Sequence, residues 1–133
     1  MKYSKLSKYK YRLEEEFVTE ASKELPAVKT YWASVVHGKL RIREGYCWDG
    51  ASGPTLDTEN SMIASLIHDC LYQFIKLGLL DKKYRKIIDV TFKRQLIASG
   101  MSKVRANAWY RSVRLFGGIW LKGGKKTVIH EVS

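Results

Sequence analysis

The hydrophobic period changes partway along the chain, and that change limits the fold more than any other feature. From about Thr58 to Leu77, the residues Met62, Ile63, Leu66, Ile67, Cys70, Leu71 and Phe74 recur at the 3.6-residue spacing of a helix. Gly78 follows, where a helix end needs a left-handed residue. A second helix is expected from about Lys82 to Ala98, with Gly100 past its end. A third opens at the N-cap Ser102, runs to Phe116 and stops at Gly117-Gly118. Upstream the period is two. Tyr9, Tyr11 and Leu13 alternate with polar neighbours, with Phe17 and Val18 further on. Leu40 and Ile42 alternate with Lys39, Arg41 and Arg43. Between the β-rich runs Thr30–Val36 and Lys39–Trp48, His37-Gly38 supplies a two-residue hairpin turn. The tail from Ile119 to Val132 reads as two short strands around Gly123-Gly124. The expectation is an α+β domain: N-terminal antiparallel strands, then three helices, then a C-terminal hairpin.

A chain of 133 residues is one domain by length, 1–133, and 45% hydrophobic content argues for a folded core. Twenty-four Lys and Arg face 13 Asp and Glu, for a formal charge of +11. Charge of that size speaks of partners rather than fold, so an anionic membrane surface, nucleic acid or an acidic protein is the expected neighbour. Residues 1–8 read as a basic, flexible N-terminal segment. It has neither the apolar stretch nor the cleavage site of a signal peptide, which implies synthesis and folding in a cytoplasm. No run approaches the roughly 18 apolar residues of a membrane span. Cys47 and Cys70 are too few for a disulfide framework and read as reduced thiols.

The chemistry concentrates in two stretches, "GYCWDGASGPTLD" and "HDCLY". On the first helix His68 and Tyr72 are four apart and share a face, with Ser61 and Ser65 a turn or two earlier. Asp69 lies about 100° round the helix from His68, close enough to border the same cavity. On the second helix Asp89 is three residues before Phe92, on the side that Phe92 buries. A short link makes the two helices neighbours, so Asp89 can reach His68. An imidazole activates water only when a carboxylate on its other nitrogen fixes its orientation and tautomer. A second carboxylate, with carbonyls from a glycine-containing loop, is the donor set that a hard cation such as calcium prefers. In this scheme His68 is the base, Asp89 its orienter and Asp69 a calcium ligand, completed by Asp49 and Gly50. Ser52, Gly53 and Pro54 shape the loop. Ser52 has no nucleophile-elbow pattern around it.

With an aspartate and a phenylalanine on the next helix, "HDCLY" resembles the paired active-site helices of phospholipase A2. The resemblance implies that Asp89 holds His68, that Tyr72 belongs to the site, and that a glycine-rich loop upstream binds calcium. His68, Asp69, Tyr72 and Asp89 match residue by residue. The loop "WDGASGP" departs from the usual run of glycines, and nearly all of that family's disulfides are missing. Over more of the chain, roughly Leu40 to Gly117, the pattern resembles a family of small phage and bacterial proteins of unknown function. Their shared features are an Asp-Gly-Ala-Ser-x-Pro loop, His-Asp-x-x-Tyr and Asp-x-x-Phe. That resemblance implies a phage context and no particular activity; a virion component or a small protein that binds a host partner or nucleic acid is the non-enzymatic expectation.

Each motif also has a purely architectural reading. His68 can be a buried histidine bonded to Asp89, and Asp89 stands four residues after Arg85, the spacing of a helical ion pair worth about 0.3–0.5 kcal/mol. On the third helix Lys103, Asn107, Arg111 and Arg114 share a face that suits phosphate groups or simply water. Two functions remain: a metal-assisted ester hydrolase of phospholipase type, its substrate a lipid in the fullest form of that reading, and a non-enzymatic phage protein that uses the same motifs as a scaffold.

Overall fold

The computed structural model describes residues 1–7, 10–48 and 59–123. Among the described residues seven short strands precede three helices: β1 (Tyr3–Ser7), β2 (Lys10–Leu13), β3 (Phe17–Glu20), β4 (Val28–Lys29), β5 (Ala33–Val36), β6 (Lys39–Ile42) and β7 (Cys47–Trp48), then α1 (Glu59–Lys76), α2 (Arg85–Ala98) and α3 (Lys103–Gly123). The α+β architecture is as expected. The strands form two antiparallel sheets, ordered β1-β2-β7 and β3-β6-β5-β4. Leu13 extends the β2–β7 pairing into the link that leads from β6, its amide donating to Tyr46 O and its carbonyl accepting from Gly45 N, each at 2.9 Å.

The β5–β6 hairpin turns at His37 (φ 52°) and Gly38 (φ 79°), the two successive left-handed residues that a tight hairpin requires. Gly45, with φ 96°, breaks the long run from Lys39 to Trp48 into β6 and β7 and passes the chain from one sheet to the other. The N-terminus is not a loose segment. Residues Tyr3–Ser7 pair with β2, and the Tyr3 ring meets Tyr11 and Trp48 edge-on at 5.8 and 6.0 Å. Those aromatic contacts outweigh the basic composition of the first residues.

α1 is buried almost all round. Leu66, Ile67, Leu71 and Phe74 join Leu13, Val35, Leu40 and Ile42 of both sheets in one core. Ala64 faces a smaller cluster with Phe92, Leu96 and Ala106 of α2 and α3. Gly78 (φ 79°) and Gly100 (φ 108°) follow the first two helices as anticipated. α2 is preceded by a single 3-10 turn over Lys82–Tyr84, where the Asp81 carboxylate accepts from Lys83 N at 2.8 Å. At the start of α3, Ser102 Oγ accepts from Arg105 N at 3.2 Å. α3 does not stop at Gly117-Gly118 but continues to Gly123, so the expected first arm of the C-terminal hairpin is helical. The rest of that hairpin, residues 124–133, lies outside the described residues, as does Lys8.

Candidate functional site

The motifs "HDxxY" and "DxxF" converge on one imidazole. His68 and Tyr72 stand one turn apart on α1, and Asp89 and Phe92 stand one turn apart on α2, against it. His68 Nε2 lies 2.7 Å from Asp89 Oδ1, and Tyr72 Oη donates to the same oxygen at 2.6 Å. The imidazole lies between two rings, with centroids 4.2 Å from Tyr72 and 4.8 Å from Phe92. A carboxylate only accepts, so Nε2 carries the hydrogen and the neutral ring keeps its lone pair on Nδ1. That nitrogen lies 3.9 Å from Asp69 Oδ1. His68 is buried, 8% exposed, while the neighbouring Asp69 side chain is 33% exposed.

Asp89 is fully buried and serves more than the histidine. Its other oxygen, Oδ2, accepts from Arg114 at 2.8 Å and has Arg85 Nε at 3.8 Å. Arg85 Nε donates to Tyr72 Oη at 3.0 Å, and its terminal nitrogen donates to the carbonyls of Val113 and Arg114 at 2.9 and 2.7 Å. Gly117 lets α3 and Tyr72 approach this closely. A Cβ on Gly117 would sit 2.6 Å from Tyr72 Oη. A glycine pair that reads as a helix stop is therefore a contact surface within a continuing helix.

The charges follow from this geometry. Burial pushes the Asp89 carboxyl up, but the bonds from His68, Tyr72 and Arg114 outweigh it and hold the group below its ordinary value. Burial pushes the His68 imidazole down, yet Asp69 and then Asp89 favour its charged form more strongly, and it titrates above its ordinary range. Burial raises Tyr72, with Asp89 adding to the effect, so its hydroxyl stays a donor. Burial likewise raises Cys70, which keeps it a thiol.

The structure thus brings together His68, Asp69, Tyr72 and Asp89 of the sequence-derived site. Asp49, Gly50, Ser52, Gly53 and Pro54 lie outside the described residues. Trp48 precedes that loop and is anchored on α1, its Nε1 donating to Ser65 Oγ at 3.2 Å. Ser65 is therefore a tether for the sheet and not part of the polar stripe at the imidazole. Calcium takes about six to eight oxygen ligands. Asp69 supplies one carboxylate on the Nδ1 side, and no three His, Cys, Asp or Glu side chains gather into a metal site among the described residues. Arg114 departs from its expected place on a phosphate-binding face. It is turned onto Asp89, while Lys103 and Arg111 are exposed. Sequence reasoning missed the bonds of Arg85 to Tyr72 and to α3. Compared with family models, with curated proteins and with solved structures, the chain matches none.

Proposed function

We propose that the protein is a metal-assisted hydrolase of an ester substrate, with His68 as its base. The observation that supports this is the bond of His68 Nε2 to Asp89, itself held by Tyr72, which leaves Nδ1 as the proton acceptor on the side of Asp69. In the reaction His68 Nδ1 takes a proton from water as the water oxygen attacks the ester carbonyl, then returns it to the departing alkoxide. Asp89 holds the ring in the required tautomer and balances the imidazolium charge. Tyr72 holds Asp89. A divalent cation, calcium by the chemistry of its donors, would be held by Asp69 with Asp49 and Gly50 and would polarise the substrate carbonyl.

One observation favours a second reading. The Asp89 carboxylate is also matched by Arg114, with Arg85 beside it, and a carboxylate shared among three helices is what a rigid buttress needs. On this reading the chain is a non-enzymatic phage protein, a virion component or a small host-interaction or nucleic-acid-binding protein, and the motifs form its scaffold. The two are separated by hydrolysis of a panel of fluorescent phospholipid and simple ester substrates, with calcium or with chelator, for wild type and His68→Ala. The hydrolase reading expects calcium-dependent turnover that falls by about 10²–10⁴ in the variant. A folded protein without turnover, whose salt-dependent affinity for duplex DNA is unchanged by His68→Ala, would establish the scaffold instead.

A further inference from the structure

The α1–α2 link, the first turn of α2 and the second half of α3 border an open groove of about 920 Å³. Its charged lining is one-sided: Lys76, Lys82, Lys83, Arg85, Lys86 and Arg114 stand against a single acid, Asp81. Arg85 and Arg114 are engaged inward by Asp89, Tyr72 and the α3 carbonyls, whereas Lys82, Lys83 and Lys86 are exposed. Beside these lysines stand aliphatic side chains in water. Leu115 and Ile119 line the groove at 69% and 65% exposed. Leu79 projects from the link, and Val104, 81% exposed, lies on the same stripe of α3 as Leu115 and Ile119.

We propose that this face docks on the surface of a bilayer containing anionic phospholipid. Interfacial binding of this kind adds buried apolar area to attraction for anionic headgroups, and the groove presents both side by side. Other occupants fit less well. A second copy would set one lysine cluster against another. Duplex DNA would satisfy the lysines but leave the projecting leucine and isoleucine hydrated. A protein partner would need hollows shaped to these side chains, while a fluid interface closes around them. Among the described residues no helix is long and apolar enough to cross a membrane, so the contact is peripheral. The proposal concerns binding without turnover and stands apart from the role of His68.

The test is co-sedimentation of the full chain with phosphatidylcholine vesicles, with and without phosphatidylglycerol, at low and raised salt. Binding is expected only with phosphatidylglycerol and should weaken with salt. Each lysine near the surface contributes about fivefold, so Lys82→Glu/Lys83→Glu should weaken binding by about 25-fold or more. Leu115→Ser/Ile119→Ser should weaken it by about tenfold or more, and Val104→Ser, at a site too exposed to affect folding, should weaken it in the same direction. No binding to phosphatidylglycerol vesicles at low salt overturns the proposal. So does binding that both serine variants leave unchanged, which would show bare adsorption to polyanions. Displacement of the protein from vesicles by an equal charge concentration of duplex oligonucleotide would assign the face to nucleic acid.

Discussion

Alanine at the two adjacent glycines of α3 should move stability in opposite directions. In a helix interior, alanine is favoured over glycine by about 0.8–1.0 kcal/mol. At Gly118 nothing opposes that gain, because the added Cβ would lie 3.6 Å from the nearest Arg85 nitrogen, an ordinary contact. Gly118→Ala should therefore stabilise the protein by up to about 1 kcal/mol. At Gly117 the Cβ would lie 2.6 Å from Tyr72 Oη and 2.9 Å from Cε2 of the same ring. Tyr72 cannot swing away without consequence, because its hydroxyl is bonded to Asp89 and Arg85. Overpacking of this kind costs about 1–3 kcal/mol, and loss of a hydrogen bond to an ionised group costs about 1.5–3 kcal/mol. With the helix propensity set against these, Gly117→Ala should destabilise by about 1.5–5 kcal/mol.

Urea denaturation of the two variants in parallel measures the difference. Adding Tyr72→Phe to Gly117→Ala removes the closest contact, so the double variant should be more stable than the sum of its parts by at least about 0.5 kcal/mol. If Gly117→Ala proves as stable as Gly118→Ala, α3 does not approach Tyr72 this closely.

The remaining predictions concern the charges and the caps. Asp89→Asn leaves the Arg114 guanidinium without its buried counter-charge and should cost about 3–5 kcal/mol in urea denaturation, a loss under about 1 kcal/mol contradicting the buried pair. Because the folded Asp89 titrates below its ordinary 3.8, its stabilisation is complete above that value and is lost as pH falls through the depressed one. The acid limb of stability against pH should flatten in Asp89→Asn, and an unchanged limb would assign it to other carboxylates. His68 runs the other way: it titrates above its ordinary 6.5, so the stabilisation from its charged form is present below 6.5 and fades as pH rises through the raised value. If His68 is a base, kcat/KM should rise over that same limb, and a rate that falls there would exclude the role. Ser102→Ala removes the cap that receives Arg105 N and should lower stability by about 1 kcal/mol, read as a thermal shift.

What was legible in the sequence was local. His37-Gly38 announces its hairpin because only a few residues tolerate two successive left-handed positions, and Ser102 announces α3 because its hydroxyl is a ready acceptor. The four-residue and three-residue spacings in "HDxxY" and "DxxF" suffice to bring His68 to Asp89, since each pair occupies one turn of one helix. What was not legible depended on neighbours distant in sequence. Gly117-Gly118 carries the composition of a helix stop, and only the presence of Tyr72 and Arg85 from other elements turns it into a seat for them. Arg114 shows helical spacing with Lys103 and Arg111, but spacing alone does not reveal a buried carboxylate that draws one of the three inward. The basic residues before β2 hide the aromatic alternation that places Tyr3 on Trp48.

The distribution of charge around Asp89 bears on how the two functional readings divide. One carboxylate faces Arg114 at 2.8 Å and Arg85 at 3.8 Å before His68 is counted, so Asp89 alone does not favour a proton on the imidazole as an isolated dyad would. Asp69, 3.9 Å from Nδ1, favours the charged imidazole most strongly, and Asp89 adds to it from the Nε2 side. A base that accepts a proton at Nδ1 gains its charge on the side of Asp69. Asp69 is therefore the residue on which the two readings differ: a cation ligand beside the base in the hydrolase reading, and a half-buried acid of α1 in the scaffold reading.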